Sequence, residues 1–512
     1  MLHEKLLILD YGSQYTQLIA RRARELGVLA EIRNFAIGSA EIAELQPKAI
    51  ILSGGPASVA DQSAPFLSPA ILKTGIPILG VCYGMQLLVR ELGGLVRQGK
   101  VREYGLANLT IQKQGSLLAG ISGKSKIWAS HGDDVERLPN DFSILAKTES
   151  GTISVAENVK RKLFLIQFHP EVEHTERGND ILKNFLFNIS GFSGDWEMET
   201  IVSELTDQIK KKVGQGKVIC ALSGGVDSSV VAALLHTAIP GQFYAVFVDH
   251  GLLRLDEAEH VVEAMKGVIG EGLIVVDAKQ KFLNALQGVE DPEAKRKIIG
   301  RTFIEVFDQK AKELGGADFL AQGTLYPDVI ESSLVNGPSV TIKSHHNVGG
   351  LPETMKMKLL EPLREIFKDE VRRLGRLLGL PETVVGRHPF PGPGLAVRII
   401  GPVTDQSLKM VALADNIFIS ELRNARLYDK VWQALVVLLP IKTVGVMGDG
   451  RTYDQVIALR AVSSTDGMTA DWSRLPDDFL AKVSSRIINE VKGVNRVVYD
   501  ISSKPPATIE WE

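Results

Sequence analysis

Residues 218–235 read Val218-Ile-Cys-Ala-Leu-Ser-Gly-Gly-Val-Asp-Ser-Ser-Val-Val-Ala-Ala-Leu-Leu235, and this stretch decides the fold class of the chain. The apolar run 218–222 predicts a buried strand, and the apolar residues 230–235 predict a helix. Between them lies a loop of glycines, hydroxyls and one aspartate. Glycines let the backbone approach an anion closely, and a helix N-terminus presents N–H groups and a positive dipole to it. The stretch therefore predicts a phosphate-binding turn between a buried strand and a helix.

The loop residues are the candidates for holding the phosphates of ATP: Ser223, Gly224, Gly225, Val226, Asp227, Ser228 and Ser229. No lysine follows a G-x-x-x-x-G spacing, so the loop is not a Walker A sequence. It is similar to the pyrophosphate loop of the ATP pyrophosphatases, which adenylate a substrate and release pyrophosphate. The alternative is a Gly-Ser turn that only connects the strand to the helix.

The composition describes an ordinary globular protein of several domains. A chain of 512 residues is too long for one hydrophobic core, and the usual domain size suggests about three domains. The 58 Lys and Arg nearly balance the 61 Asp and Glu, which argues against nucleic acid or a membrane surface as the main partner. Two cysteines exclude a disulfide scaffold and a zinc site built from cysteines. The apolar runs are too short for a signal peptide or a membrane span, so we expect a cytoplasmic protein.

Two segments of the chain alternate short apolar runs with helical patterns. The predicted strands are residues 6–9, 49–52, 77–81, 218–222, 243–248 and 273–276, and the first predicted helices are residues 15–26 and 85–92. Short apolar runs of this kind are typical of parallel strands that are buried on both faces. The first segment continues to about residue 190. Each segment therefore predicts a doubly wound α/β domain with a parallel sheet.

Two breaks rich in glycine and proline predict the domain boundaries. Gly191-Phe-Ser-Gly-Asp-Trp196 precedes a new amphipathic helix, and Phe390-Pro-Gly-Pro-Gly-Leu395 is the strongest break in the chain. Beyond the second break, the predicted strands are residues 443–447, 456–459 and 496–499, and residues 481–491 are a predicted helix. We expect domains at residues 1–192, 193–395 and 396–512. The fold class is then two doubly wound parallel-sheet α/β domains followed by a small α+β domain.

The segment Gly80-Val-Cys-Tyr-Gly84 places a cysteine in the G-x-nucleophile-x-G pattern of an elbow between a strand and a helix. The helix dipole there favours the thiolate, which is the reactive form of cysteine. Cys220 differs because apolar residues flank it inside a predicted strand, and we expect it to be buried and inert. We interpret Cys82 as a nucleophile, with a purely structural role as the alternative.

A nucleophilic cysteine needs a base and a group that orients the base. Leu163-Phe-Leu-Ile-Gln-Phe168 predicts a strand that ends in His169-Pro-Glu171. An imidazole and a carboxylate are therefore expected at the sheet edge that carries Cys82. His131 and His174 are competing candidates, but we expect both in polar loops. A metal site around His169 is disfavoured because the helical H-E-x-x-H register is lacking.

Three motifs in this order resemble those of the class I, triad-type glutamine amidotransferases: Ser53-Gly-Gly-Pro56, Gly80-Val-Cys-Tyr-Gly-Met-Gln86 and His169-Pro-Glu171. The resemblance covers roughly residues 5–190. It implies that Cys82 attacks the side-chain amide of glutamine, that His169 acts as base and then as acid, and that Glu171 holds the imidazole. It also implies an oxyanion hole made by the backbone N–H groups of Gly55 and Tyr83.

Further motifs extend a resemblance over the whole chain. They are Val248-Asp-His-Gly-Leu-Leu-Arg254, the charged run 291–301, Gln322-Gly-Thr-Leu-Tyr-Pro-Asp328, Lys343-Ser-His-His-Asn-Val-Gly-Gly350, Arg387-His-Pro-Phe-Pro-Gly-Pro-Gly-Leu395, Gly448-Asp-Gly-Arg-Thr-Tyr453 and Ser503-Lys-Pro-Pro-Ala-Thr-Ile-Glu-Trp-Glu512. By itself, the charged run reads as a solvated helix face. Together the motifs resemble the glutamine-hydrolysing GMP synthetases. The resemblance implies that xanthosine 5′-monophosphate (XMP), ATP, glutamine and water give GMP, AMP, pyrophosphate and glutamate.

The resemblance also implies the residues that bind XMP, which are Arg296, Gln433, Asp449, Lys504 and Glu510. Lys504 and Arg296 suit a phosphate dianion, whereas the sequence around Gln433 by itself predicts a helix surface. Mg²⁺ is implied with ATP, its ligands left open, with no tightly bound organic cofactor. The implied partners are glutamine, ATP, XMP and a second copy of the chain, joined through the C-terminal domain, without nucleic acid or membrane.

Three other protein classes share part of this pattern. NAD synthetases couple a pyrophosphatase domain to a nitrilase-like domain, which lacks the order Cys82, His169, Glu171. Proteins that thiolate tRNA with the same ATP loop need two catalytic cysteines and a basic surface, whereas Cys82 and Cys220 fall in different predicted domains. A non-enzymatic regulator with degenerate sites is the third alternative, and the intact motifs argue against it.

Overall fold

The structure, a computed structural model, describes residues 3–61, 63–333, 357–447, 450–464 and 469–512. The chain divides into two compact units, Met1–Ile201 and Val202–Glu512. No helix among the described residues is long and apolar enough to cross a membrane. The domain limits at residues 192 and 395 stay predictions.

The first unit is built on one nine-stranded sheet. Its elements are β1 (Lys5–Asp10), α1 (Thr16–Glu25), β2 (Leu29–Asn34), α2 (Ser39–Leu45), β3 (Ala49–Leu52), α3 (Pro69–Leu72), β4 (Ile78–Val81), α4 (Tyr83–Glu91), β5 (Leu95–Ile111), β6 (Lys124–Arg137), β7 (Ser143–Thr148), β8 (Ile153–Asn158), β9 (Leu163–Ile166) and α5 (Gly178–Lys183). The helix α6 (Met198–Val213) follows at the boundary between the units.

The strand order in this sheet is β2-β1-β3-β4-β9-β8-β7-β5-β6. Strands β2, β1, β3, β4 and β9 are parallel, which confirms the predicted strands 6–9, 49–52 and 77–81. The strands β3, β4 and β9 are buried on both faces, as their continuous apolar runs require. The other four strands extend the sheet in antiparallel pairs. The alternation of strand and helix predicted as far as residue 190 is therefore interrupted at residues 95–158, where long antiparallel strands connect directly.

The second unit contains two sheets. Its elements are β10 (Val218–Leu222), α7 (Val226–Ala238), β11 (Phe243–Asp249), α8 (Glu257–Ile269), β12 (Leu273–Asp277), α9 (Lys279–Ala285), α10 (Pro292–Glu313), β13 (Phe319–Ala321), α11 (Tyr326–Ser333), β14 (Lys358–Leu360), α12 (Lys368–Leu377), α13 (Glu382–Val385), α14 (Asp405–Asn424), β15 (Gln433–Met447), β16 (Gly450–Ser463), β17 (Asp471–Trp472), α15 (Asp477–Glu490) and β18 (Val494–Tyr499).

The first sheet of this unit is parallel throughout, with the order β12-β11-β10-β13-β14. In the second sheet, β16 pairs with β15 and β17 in antiparallel fashion and with β18 in parallel. One hydrophobic cluster runs through the unit, from Val246 in the first sheet to Phe418 of α14 and Val436 of β15. The C-terminal α+β region therefore packs on the same core as the parallel sheet.

The prediction for Gln433 is wrong. Gln433 does not lie on a helix surface but begins β15, where it is buried. The residues that follow it, Ala434 to Leu438, are also buried. A run of this kind forms a strand because apolar and β-branched residues suit a sheet buried on both faces.

Candidate active sites

The first candidate site lies at one edge of the nine-stranded sheet. Strands β3, β4 and β9 are parallel neighbours, so their carboxyl ends meet at this edge. The segment 53–55 follows β3, Cys82 follows β4 directly, and His169 comes shortly after β9. Three segments that are far apart in sequence are thereby brought together.

Cys82 occupies a strained backbone conformation between β4 and α4. Its φ is +52° and its ψ is −106°, a combination that residues other than glycine rarely adopt. Its N–H donates to the carbonyl of Ile166 at 2.7 Å. The thiol lies 3.6 Å from the carbonyl oxygen of Ser130, and Gln167 Nε2 lies 3.8 Å from Sγ. This is the geometry of a nucleophile elbow, which projects the side chain from a tight turn at the helix N-terminus.

His169 and Glu171 form a buried pair beside this thiol. His169 Nδ1 lies 2.7 Å from Glu171 Oε1, and the Glu171 side chain is fully buried. Burial lowers the pKa of His169, but the Glu171 carboxylate and the Cys82 thiol together raise that pKa well above its usual value. Because Nδ1 is engaged by Glu171, Nε2 is the ring nitrogen left for Cys82.

The loop 53–55 closes this site from the side of β3. A Cβ atom at Gly54 would lie 3.1 Å from His169 Cε1 and 3.6 Å from Cys82 Cβ, so a larger residue there would crowd the imidazole. Gly55, whose N–H is expected in the oxyanion hole, follows Gly54 directly in this loop. The N–H of Tyr83 belongs to the first turn of α4 and has no partner within the helix. All five residues expected in the first site therefore lie in one place.

His131 is a charged neighbour of this site that the sequence placed wrongly. It lies buried in β6 rather than in a polar loop. Its Nε2 is 3.2 Å from Glu103, and its Nδ1 is 3.3 Å from Asp134. Burial lowers the pKa of His131, but Asp134, Glu103 and the nearby Cys82 raise it to about 9. The alternation of buried and exposed residues along β6 is the sequence signal for a strand here.

The second candidate site is the loop between β10 and α7, where Gly225 caps the helix N-terminus. Gly224 has a φ of +76°, which favours glycine. Ser228 Oγ accepts from the N–H of Ser223 at 3.1 Å, and Ser229 Oγ donates to the carbonyl of Gly225 at 2.9 Å. These two hydroxyls therefore hold the loop in shape, and its N–H groups point from a helix start towards a prospective anion.

Lys368, the first residue of α12, belongs to this loop and was not predicted from the sequence. Its Nζ lies 2.7 Å from both carboxylate oxygens of Asp227. Gly323, in the predicted polar loop after β13, also packs against Asp227, because a Cβ atom there would lie 3.1 Å from Asp227 Cβ. No local pattern marks Lys368, since the contact depends on how α12 packs against α7.

The residues expected to bind XMP lie largely on residues 503–512, which we call the C-terminal segment, and on residues that contact this segment. Gln433 Nε2 donates to Glu510 Oε1 at 2.6 Å. Lys504 is paired with Ala470 through two backbone hydrogen bonds of 2.7 and 3.0 Å. Asp449 lies outside the described residues, as do His345 and His346 of the predicted polar loop.

Arg296 and its neighbour Lys295 also meet the C-terminal segment. Arg296 donates to the backbone oxygen of Glu512. Lys295 is fully buried, and its Nζ donates to Ile399 O at 2.6 Å and to Glu512 Oε2 at 2.7 Å. The solvated helix face predicted for residues 291–301 is therefore wrong for Lys295, which points into the unit where polar partners satisfy it.

Two further arginines hold this segment, and the sequence did carry a signal for them. Arg398 and Arg460 are fully buried, and each stands alone as a charge within an apolar run, Ala396-Val-Arg-Ile-Ile400 and Val456-Ile-Ala-Leu-Arg-Ala-Val462. Arg460 donates to the carbonyls of Ile509 and Thr508, both at 2.9 Å. A lone charge in a buried strand or turn requires partners, and here the C-terminal segment supplies them.

Two further residues that the sequence singled out, Cys220 and His174, lie apart from these sites. The described residues contain no group of three or more His, Cys, Asp or Glu placed to hold a metal ion. Cys220 is buried in β10, and burial raises the pKa of its thiol to about 12, as expected for an inert cysteine. His174 is exposed and packs against Trp128, with ring centroids 4.6 Å apart.

Comparison with known proteins matches three family profiles to successive parts of the chain. The profile of "Glutamine amidotransferase class-I" matches residues 7–189, that of "NAD synthase" matches residues 197–288, and that of "GMP synthase C terminal domain" matches residues 420–511. The second profile covers the phosphate loop and ends before the C-terminal segment.

Relatives match over the full length of the chain. A glutamine-hydrolyzing GMP synthase of Rhodopseudomonas palustris (strain HaA2) is 59% identical over 515 residues, covering 100% of this chain and 95% of the relative. One of Nitratidesulfovibrio vulgaris is 55% identical and covers 99% of each chain. A solved glutamine amidotransferase of Thermotoga maritima is 19% identical and covers 41% of this chain and 85% of its own, with a TM-score of 0.28.

Proposed function

The chain belongs to the glutamine-hydrolysing GMP synthase family, and from this premise we propose which residues carry each step. The enzyme makes GMP from XMP, takes the nitrogen from glutamine and uses ATP as a co-substrate. The observation that carries the assignment of residues is the buried pair of His169 and Glu171 beside the strained Cys82. A phosphate loop lies in the other unit.

In the first unit, the proposed reaction is the hydrolysis of the glutamine amide. The Cys82 thiolate attacks the amide carbon, and the N–H groups of Gly55 and Tyr83 stabilise the oxyanion. His169, held by Glu171, donates a proton to the departing ammonia and then takes one from the water that cleaves the thioester. The raised pKa of His169 supports this role, because a protonated imidazole is the form that can donate to the departing ammonia.

In the second unit, the proposed reaction is the adenylation of XMP. The loop 223–229 holds the β- and γ-phosphates of ATP while an oxygen of the XMP base attacks the α-phosphorus and pyrophosphate leaves. Ammonia then displaces AMP from the adenylated base and leaves GMP. Adenylation is needed because the oxygen of a carbonyl is a poor leaving group, whereas AMP is a good one. Arg296, Gln433, Asp449, Lys504 and Glu510 are the proposed XMP ligands.

Lys368 and Asp227 are proposed to act with the loop. With ATP bound, the Lys368 ammonium is placed to exchange a contact with Asp227 for one with a phosphate. Mg²⁺ commonly binds through one or two carboxylates, waters and substrate phosphates. The Asp227 carboxylate at the loop is a ligand of this kind. Asp227 would hold the ion, which supplies charge neutralisation for the pyrophosphate.

The enzyme is further proposed to act as a cytoplasmic homodimer. Both ATP and nucleoside monophosphates are metabolites of the cytoplasm. The paired ends of β15 and β16 carry exposed apolar side chains, among them Val444, Val446 and Tyr453. An apolar ribbon of this kind suits an interface with a second copy through the C-terminal region.

The test is a full product balance. The purified enzyme is incubated with XMP, ATP, Mg²⁺ and glutamine, and GMP, AMP, pyrophosphate and glutamate are quantified. We expect equal amounts of the four products, no GMP without ATP, and GMP without glutamate when ammonium replaces glutamine. Nicotinic acid adenine dinucleotide in place of XMP is the control, and its amidation would contradict the assignment.

A further inference from the structure

A chain of contacts between buried and half-buried charged residues in the second unit connects the phosphate loop to the C-terminal segment. Four of its links are ion pairs, and the link between Glu257 and Arg254 is a backbone hydrogen bond. Three guanidinium groups alternate with three carboxylates along this chain of contacts. In order, its members are Arg387, Glu257, Arg254, Asp415, Arg398 and Glu510. We call these six residues the ion chain.

The first end of the ion chain holds the phosphate loop. Arg387 Nη1 donates to the carbonyl oxygen of Gly224 at 2.6 Å, and Arg387 also pairs with Glu257. The second oxygen of Glu257 accepts from the backbone N–H of Arg254 at 2.8 Å. Burial raises the pKa of Glu257, but Arg387 and Arg254 outweigh it and lower the pKa, so the carboxylate is charged.

In the middle of the ion chain, Asp415 and Arg398 are buried and Arg254 is half-buried. Arg254 Nε lies 3.2 Å from Asp415, whose side chain is 1% exposed. Asp415 Oδ1 lies 3.4 Å from Arg398 Nη1. The ring of Phe390 is shared by the two arginines, whose guanidinium carbons lie 5.1 and 5.0 Å from its centroid. Such contacts fix both guanidinium planes.

The other end of the ion chain holds Glu510. Arg398 Nη2 and Nε donate to the two oxygens of Glu510 at 2.9 and 3.2 Å, a bidentate pair. Gln433 Nε2 donates to Glu510 Oε1 as well. A bidentate pair fixes the direction of a carboxylate as well as its distance. Arg398 therefore holds Glu510 and also contacts Asp415, the next member of the ion chain in the direction of the phosphate loop.

We propose that Arg398 is the positioning residue of the XMP site. It holds the Glu510 carboxylate and the Gln433 amide in one arrangement, in which they accept and donate hydrogen bonds to the sugar or base of a purine nucleotide. The ion chain fixes this arrangement relative to the loop that holds ATP. The inference rests on the proposed role of Glu510 and Gln433 in XMP binding.

The fold alone does not require this arrangement. A buried ion pair is weakly stabilising compared with apolar residues of the same volume, whereas it specifies geometry well. The C-terminal segment has an independent anchor in Arg460, which binds the carbonyls of Thr508 and Ile509. Loss of the bidentate pair between Arg398 and Glu510 is therefore expected to leave the C-terminal segment attached, while the Glu510 carboxylate is no longer held in one direction.

The experiment uses Arg398→Lys in the full enzyme, with ammonium as nitrogen source so that the glutaminase site is not involved. Lysine keeps the buried charge but loses the bidentate geometry. We expect the KM for XMP to rise at least ~10-fold, about the effect of one lost charge-assisted hydrogen bond, while the KM for ATP changes less than about twofold. Arg376→Lys is the matched control, because Arg376 makes a bidentate pair with Glu382 on the surface.

Glu510→Gln and the double variant separate the possible outcomes. If Arg398 acts through Glu510, the double variant raises the KM for XMP less than the product of the two single effects. A normal KM for XMP in Arg398→Lys, with a raised KM in Glu510→Gln, overturns the inference and leaves the proposed XMP site standing. An unchanged KM in Glu510→Gln overturns both. If Arg398→Lys raises the KM for XMP and the KM for ATP equally, or if it lowers the stability of the whole enzyme, Arg398 is only structural. Either result also overturns the inference.

Discussion

At the scale of single residues, Cys82, the proposed nucleophile, combines an unusual backbone conformation with a position at the start of a helix. Its φ of +52° and its place at the N-terminus of α4 both follow from the elbow between strand and helix. Cys220 is equally buried but lies within a strand, where burial raises the pKa of its thiol to about 12. The two cysteines are both buried but lie in different surroundings, and we therefore expect them to differ in reactivity.

Replacement of Cys82 with alanine is expected to abolish GMP formation from glutamine and to leave formation from ammonium within about twofold. The reason is that Cys82 lies in the unit that releases ammonia, whereas the ATP loop lies in the other. Both rates are measured on the same preparation. Cys220→Ala is the control, and we expect full activity and about 1 kcal/mol less stability. Equal loss of both activities in folded Cys82→Ala would contradict the assignment.

His131 is expected to make the stability of the first unit depend on pH. Its pKa is about 9 in the folded state against a usual 6.5, because Asp134 and Glu103 face both ring nitrogens. Between these two pKa values, only the folded state binds the proton of His131. The contribution of His131 to the free energy of unfolding is therefore complete below pH 6.5 and is lost as the pH rises through 9. The shift corresponds to roughly 3 kcal/mol.

Urea unfolding at pH 6.5 and 9.5 tests this. We expect His131→Gln to lower the free energy of unfolding strongly at pH 6.5 and much less at pH 9.5. His174→Gln is the control because that imidazole is exposed. A destabilisation by His131→Gln that is the same at both pH values would show that the His131 charge is not involved.

At the scale of elements, the two loops that follow parallel strands carry the proposed chemistry, and each depends on a short stretch of unusual backbone. The turn after β4 holds Cys82, and the turn after β10 holds Gly224. Both turns open a helix, so each combines free N–H groups with the positive end of a helix dipole. The first turn is proposed to present the nucleophile, and the second is proposed to hold a phosphate.

Gly224→Val is expected to remove pyrophosphate release with either nitrogen source while glutamine hydrolysis persists. Valine disfavours a φ of +76°, and its Cβ would lie 2.9 Å from Val261 Cγ2. Pyrophosphate and glutamate are assayed separately. Gly267→Ala in α8 is the control, because a Cβ there meets nothing within 4 Å, and alanine is expected to stabilise that helix by up to about 1 kcal/mol. Normal adenylation by Gly224→Val would refute the role of the loop.

Lys504→Ala tests the C-terminal segment as an element of the XMP site. The backbone of Lys504 is fixed against Ala470 by two hydrogen bonds, so its side chain is presented from an ordered segment. We expect the KM for XMP to rise at least ~10-fold, as for loss of roughly 1.5–3 kcal/mol, with the KM for ATP unchanged. Lys482→Ala is the control, because it removes a largely exposed lysine while its partner Glu421 keeps an ion pair with Arg486. An unchanged KM for XMP would mean that the segment is only structural.

At the scale of the whole molecule, the second unit combines a parallel sheet and an α+β region on one hydrophobic core. Within this unit, the ion chain connects the phosphate loop to the C-terminal segment. ATP and XMP are therefore proposed to bind to parts of one compact unit, as adenylation of one substrate by the other requires.

The proposed homodimer is tested at the end of the hairpin formed by β15 and β16. Val446 is 75% exposed, so a charge there disturbs an interface without entering the core. We expect Val446→Glu to shift the mass measured by light scattering after gel filtration from that of a dimer to that of a monomer. Val159→Glu, at an exposed valine of the first unit, is expected to leave the dimer intact. A wild-type enzyme that is monomeric at micromolar concentration would contradict the proposal.

The sequence by itself determined the features that depend on neighbouring residues. Strands β1, β3, β4 and β10 follow from apolar runs, and the two turns follow from the glycines around Cys82 and in the loop 223–229. These patterns are readable because periodicity and backbone conformation are local properties of the chain. The order of the three amidotransferase motifs was sufficient to name Cys82, His169 and Glu171.

Only the tertiary structure decided which distant charges meet. Lys368 reaches Asp227, and Arg398 reaches Glu510, across 141 and 112 residues of sequence. The burial of His131 and Lys295 was likewise decided by packing, because a charged residue in a strand or helix looks the same in sequence whether its face meets solvent or a partner. Such pairings depend on how elements pack, and packing is a property of the whole chain rather than of any local pattern.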